Sequence, residues 1–128
     1  MHTSYFHKSW KEPKAVSIAL KHPPHYTGRE YRALAPPSFL VYDHSLEWFE
    51  YATLYQEKVL DRLNPRKVFD ELGEDAILLC WESPEKQCHR HLVAAWLEEN
   101  LGVRVEELSN SGQVWNPKSE RFRQTKLL

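Results

Sequence analysis

Five consecutive apolar residues, Ala76-Ile77-Leu78-Leu79-Cys80, predict a short strand buried on both faces. The polar stretch 81–87 carries Pro84 and reads as a loop. From Cys88 onward Leu92, Ala95, Trp96 and Leu101 recur at helical spacing, and Gly102 stands where a left-handed C-cap belongs. Residues 103–108 then predict a last strand, so 76–108 form a strand–helix–strand unit with parallel strands.

The same alternation of apolar and polar positions organises the first half. Residues 3–6 and 15–20 predict two more strands, the second the better one. Pro23, Pro24, Gly28, Pro36 and Pro37 rule out long regular structure over 21–38, leaving a loop of a length usually given to function or motion. Leu46, Phe49, Ala52, Leu54, Tyr55, Val59 and Leu63 draw an apolar stripe along a helix over 45–63. Asn64-Pro65 ends that helix and caps a short one running to Leu72, closed by Gly73. Together these elements predict a single compact Rossmann-like α/β domain over 1–108, with a mostly parallel sheet flanked by helices. Residues 109–128 lack periodicity and form a basic C-terminal tail, partly ordered or disordered.

Composition adds little to this picture. The 128 residues suffice for one domain with its own core. No run approaches the roughly 18 to 20 apolar residues of a membrane span. The first eight residues hold no signal-peptide core, so a cytoplasmic protein with two reduced thiols is expected. Charge is uneven: six basic and two acidic residues over 1–42, seven and fifteen over 43–107, four and one over 108–128. Basic ends on an acidic middle fit a polyanionic partner, and equally fit ends that fold back onto the middle.

The candidate chemistry gathers where the 76–80 strand gives way to its helix. A thiol at a helix N-terminus is acidified by the dipole, so Cys88, with His89 and Arg90 beside it, reads as a candidate nucleophile. The structural alternative is a small buried Cys88 and an Arg90 paired with Glu82. Adjacent helical positions point about 100° apart, so either Cys88 or Arg90 faces a ligand and the other supports it. Glu82 is placed to orient Arg90 or to move a proton. Seven residues separate Cys80 from Cys88, a poor zinc spacing, and no metal is assigned; a redox pair is open if the loop folds back. In the proline loop His22, Arg29 and Tyr31 could rim a pocket and supply charge to a phosphate, or simply be solvated.

The sequence Cys80-Trp81-Glu82 followed by Cys88-His89-Arg90-His91-Leu92-Val93-Ala94 resembles the signature of the family called domain of unknown function 488. Thr3-Ser4-Tyr5-Phe6, Val16-Ser17-Ile18, Leu34-Ala35-Pro36 and the pair Tyr51 and Tyr55 are similar to further family positions, over roughly residues 3–107. Ala19-Leu20-Lys21-His22 departs from the polar pair that members often carry after the second strand. The resemblance implies a Rossmann-like domain with these motifs clustered at the strand C-termini, and it implies no reaction or cofactor. Two functions follow as expectations. One is a pocket, cysteine-dependent if catalytic, for a phosphate-bearing ligand such as a nucleotide or nucleic-acid end. Arg90, His89, Cys80, His22, Arg29 and Tyr31 would bind it, and Cys88 and Glu82 would act. The other is a non-catalytic binding module in which the cluster is structural.

Overall fold

The strand containing Leu78 and Leu79 lies at the centre of the molecule, because its side chains alternate between two apolar layers. In the computed structural model, which describes residues 1–109, this strand pairs in parallel with a neighbour on each side. The expected tail lies, from residue 110 on, outside the described residues.

In chain order the elements are β1 (His2–Tyr5), α1 (Phe6–Ser9), β2 (Ala15–Ser17), β3 (Arg29–Glu30), α2 (Ser38–Tyr42), α3 (Trp48–Lys58), α4 (Pro65–Leu72), β4 (Ile77–Cys80), α5 (His89–Leu101) and β5 (Glu106–Glu107). Single 3-10 turns occupy Arg32–Leu34 and Leu60–Arg62. The sheet runs β3-β2-β4-β1-β5 and every pairing is parallel. Leu78 packs into the larger core with Val16, Leu72, Val93 and Leu97, under α3, α4 and α5. Leu79 faces a smaller layer of Phe6, Ala15, Ala19 and Tyr26 on the opposite side. The architecture is thus a single α/β domain of Rossmann-like type, as the patterning predicted. No helix of the described residues is long and apolar enough to cross a membrane.

Capping explains several boundaries. Asn64 accepts a hydrogen bond from the Lys67 N–H, with Pro65 at the first helical position, and Gly102 ends α5 at φ 68°. The α3 helix begins at Trp48, later than the stripe predicted, because Ser45 is held in a turn by the Asp43 carboxylate. Glu47 and Glu50 then form a reciprocal cap. Phe49, expected on the buried stripe, is 43% exposed. The loop expected over 21–38 contains the two-residue edge strand β3 and the start of α2. The last strand shrinks from 103–108 to Glu106–Glu107, and the second from 15–20 to Ala15–Ser17.

Strand register levels one edge of the sheet. Tyr5 lies opposite Cys80 and Ser17 opposite Leu79, and the Ile18 N–H continues the ladder to the Leu79 carbonyl. The carboxyl ends of β1, β2 and β4 therefore finish together, and the loops leaving them share one rim.

Candidate functional site

Cys80 is the last residue of β4, and Cys88 is the N-cap residue of α5. Between them the chain makes a tight excursion, with the Lys86 N–H bonded to the Ser83 carbonyl and the Ser83 hydroxyl to Glu85. Trp81 donates its indole N–H to the Lys21 carbonyl, which ties this loop to the segment leaving β2. The excursion returns Cys88 directly onto Cys80: the two sulfurs lie 2.6 Å apart in a buried hydrogen-bonded contact.

His89 completes the cluster. One ring nitrogen, Nε2, is 2.7 Å from the Ile18 carbonyl oxygen. A carbonyl can only accept, so Nε2 carries a proton and donates it. That leaves Nδ1 as the nitrogen that exchanges a proton with the sulfurs, and it faces both, 3.5 Å from Cys80 Sγ and 3.8 Å from Cys88 Sγ. Tyr55 packs against the ring with centroids 5.4 Å apart, and its hydroxyl donates to the Leu34 carbonyl. The imidazole is thereby held in one tautomer and one orientation.

The two thiols are driven in opposite directions. Burial alone would push Cys88 up, but the hydrogen bond from Cys80, the bond and charge of His89, and the Arg90 guanidinium outweigh it and hold Cys88 well below the ordinary thiol range. Burial pushes the Cys80 thiol well up, and the adjoining Cys88 pushes it further. Of the two sulfurs, Cys88 is thus the one more readily deprotonated. Burial, with both sulfurs nearby, also keeps the Tyr51 phenol protonated far above its usual range.

Arg90 takes a different part from the one the sequence suggested. Its side chain is fully buried and grips Glu107 through Nε at 2.9 Å and Nη2 at 2.8 Å, while Thr3 donates to the same carboxylate at 2.6 Å. Burial lowers the Arg90 pKa and Glu107 more than restores it, so the cation is permanent. Glu82, the expected partner, is exposed on the loop. Arg90, in the first turn of α5, reaches Glu107 of β5 beside Thr3 of β1, while Cys88, the extended N-cap residue, meets Cys80 at the end of β4. Arg90 Nη1 finds no hydrogen-bond partner among the described residues.

Above the thiols opens a cavity of about 420 Å³. Cys80, Cys88 and His89 line its base, Trp48, Tyr51 and Tyr42 one wall, and Trp81, Glu82, Ala19 and Lys21 the other. Sequence reasoning missed the aromatic wall, because α2 and α3 read as scaffold. Repeated aromatics at Tyr42, Trp48 and Tyr51 were the available signal. Three expected residues lie elsewhere. His22 Nδ1 sits 3.0 Å from Glu30. Arg29 donates to the Leu72 carbonyl at 2.7 Å and to that of Glu71, satisfying the C-terminal end of α4. Tyr31 reaches the Glu71 carboxylate at 3.3 Å. None of the three lines the cavity.

Cys80, Cys88 and His89 offer ligand atoms that all lie within 4.8 Å of one another. Sulfurs bound to one tetrahedral zinc at about 2.3 Å each stand about 3.7 Å apart. At 2.6 Å these two are too close for that geometry without moving.

A sequence profile described as the active DUF488-N3 subclade matches residues 8–101, a span that includes Cys80, Cys88, His89 and Arg90. No curated protein and no solved structure matches the chain.

Proposed function

For a chain that belongs to the DUF488 family, we propose that the cavity at the strand C-termini is the active site of a cysteine-dependent enzyme. In this reading Cys88 is the nucleophile, acting on a small phosphate-bearing ligand such as a nucleotide or a nucleic-acid end. The observation that carries the reading is the placement of the Cys88 sulfur: at the N-terminus of α5, lining a 420 Å³ cavity, with Nδ1 of His89 3.8 Å away. The word "active" in the subclade's description agrees with it.

Each neighbour has a task in this chemistry. The Cys80 S–H stabilises the Cys88 thiolate before attack, and His89 Nδ1 stores a proton for the leaving group. The aromatic wall of Trp48, Tyr51 and Tyr42 suits a planar ring such as a base. Lys21 and the first-turn N–H groups of α5 supply positive potential for the anionic end. Arg90 contributes its field from behind, not a contact, because its side chain is enclosed. Glu82 lines the cavity mouth and is available for proton transfer.

A second reading, a non-catalytic binding module, has one observation in its favour: Cys88 is only 5% exposed. Alkylation by iodoacetamide at neutral pH, followed by mass spectrometry, separates the two. Cys88 modified at least tenfold faster than a denatured-state thiol supports the enzyme; modification at a slower rate than that thiol overturns it. Titration with a mononucleotide, followed by backbone amide shifts, tests the ligand class. Shifts at residues 81–91 and 40–51 support it, and shifts outside these segments alone refute it.

A further inference from the structure

Beyond any substrate chemistry, the geometry points to Cys80 and Cys88 as a reversible oxidation site, at which hydrogen peroxide converts the two thiols to an intramolecular disulfide. Three placements support this. The sulfurs already lie 2.6 Å apart, each within reach of the other. Both cysteines line the 420 Å³ cavity, which is wide enough to admit a molecule as small as peroxide. Both sulfurs are otherwise enclosed, 6% exposed for Cys80 and 5% for Cys88, so an oxidant meets them through that cavity.

The two cysteines have unequal roles, and the environment sets which is which. Cys88, at the helix N-terminus, is the sulfur that attacks. Cys80, at the end of β4, is the sulfur that resolves. In the first step the Cys88 thiolate attacks one peroxide oxygen and the O–O bond breaks. The departing hydroxide takes the proton that Cys88 had passed to His89 Nδ1 and leaves as water, and Cys88 becomes a sulfenic acid. In the second step Cys80 gives its proton to His89 Nδ1 and attacks the Cys88 sulfur. The S–S bond forms, the S–O bond breaks, and the hydroxide collects that proton as a second water. Two thiols and one peroxide thus give one disulfide and two waters, the pair supplying both electrons. A small dithiol reverses the change by exchange at the sulfur facing the cavity.

His89 is well placed for both transfers because Nδ1 lies between the sulfurs, 3.5 and 3.8 Å away, while Nε2 stays bonded to Ile18. The consequence for the cavity is direct. Oxidation removes the nucleophilic sulfur at its base, so the same event that protects Cys88 from irreversible oxidation also silences it.

The test treats the full chain with one equivalent of hydrogen peroxide and reads free thiols and intact mass. Wild type is expected to lose both thiols, to become lighter by two hydrogens, and to recover fully with a dithiol reductant. Cys80→Ser is expected instead to gain oxygen at Cys88, trapped as an adduct with a sulfenic-acid reagent and progressing to sulfinic acid. Cys88→Ser should keep Cys80 reduced at the same dose. Three results would overturn the inference: sulfinic acid in wild type without an intramolecular disulfide, both thiols unreacted, or disulfides formed only between chains. Rapid alkylation of Cys88 without disulfide formation would sink this site and leave the proposed nucleophile standing. A disulfide formed in a protein whose Cys88 alkylates slowly would do the reverse.

Discussion

Arg90 and Glu107 meet through two parallel hydrogen bonds, at 2.9 and 2.8 Å, with both side chains removed from water. The pair joins the first turn of α5 to β5, and a third bond from Thr3 extends it to β1. It fixes the base of the helix on which Cys88 is mounted.

Glu107→Ala leaves the Arg90 cation enclosed without its partner and is expected to cost roughly 3 to 5 kcal/mol. Urea unfolding measures that loss. The double change Arg90→Met with Glu107→Leu removes both charges and should recover most of it. A single change that shifts stability by less than a few tenths of a kcal/mol would mean the pair contributes nothing to the fold.

The acidified thiol of Cys88 has a signature in pH. Because its folded pKa lies well below the unfolded value, its alkylation rate should stay nearly flat between about pH 6 and 8, where an ordinary thiol of pKa about 8.5 gains almost tenfold per unit. Cys80→Ala removes the S–H donor and should restore a rising profile. For stability the signs oppose. The depressed Cys88 stabilises the fold above the unfolded thiol pKa and loses that contribution as pH falls towards its folded value. The raised Cys80 stabilises below the unfolded pKa and loses its contribution as pH rises. Cys88→Ser should therefore abolish the first trend and weaken the second in pH-dependent thermal unfolding.

Gly102 supplies a control at the far end of the same helix. Its φ of 68° is left-handed, and an added Cβ would meet nothing within 4 Å, so Gly102→Ala carries backbone strain and no clash. The expected cost is roughly 1 to 2 kcal/mol, with Gly102→Asn milder. Cys88 reactivity should be unchanged in both. A change in reactivity would show that the helix start is sensitive to the cap at its other end.

What could be read from the sequence depended on how local the determining interaction was. The β4 strand, the 81–87 loop and α5 were legible because an apolar run, Pro84 and Gly102 each act on their own neighbours. The Asn64-Pro65 cap was legible for the same reason. The β3 strand was not: two exposed residues paired with Val16 and Ser17 leave no alternation to detect. The partner of Arg90 was misread because Glu82 is near in the chain and Glu107 is near in space. The deciding quantity is the rotation of α5, which brings together residues 17 apart. Arg29 and Tyr31 share a loop with His22 but face α4, since the exposed carbonyls at the end of that helix claim the guanidinium. The aromatic wall escaped notice because Trp48 and Tyr51 lie far along the chain from the thiols they enclose, and only the packed helix carries them there.

The placement of Glu107 also sets an order in time. During synthesis the helix bearing Cys88 and Arg90 leaves the ribosome before the carboxylate that neutralises its arginine, because β5 follows α5 in the chain. A nascent chain ending at Leu101 holds Cys80, Cys88 and His89, yet lacks the carboxylate that pairs with Arg90. The ion pair that anchors the start of α5 is thus closed by a residue that follows the helix in the chain.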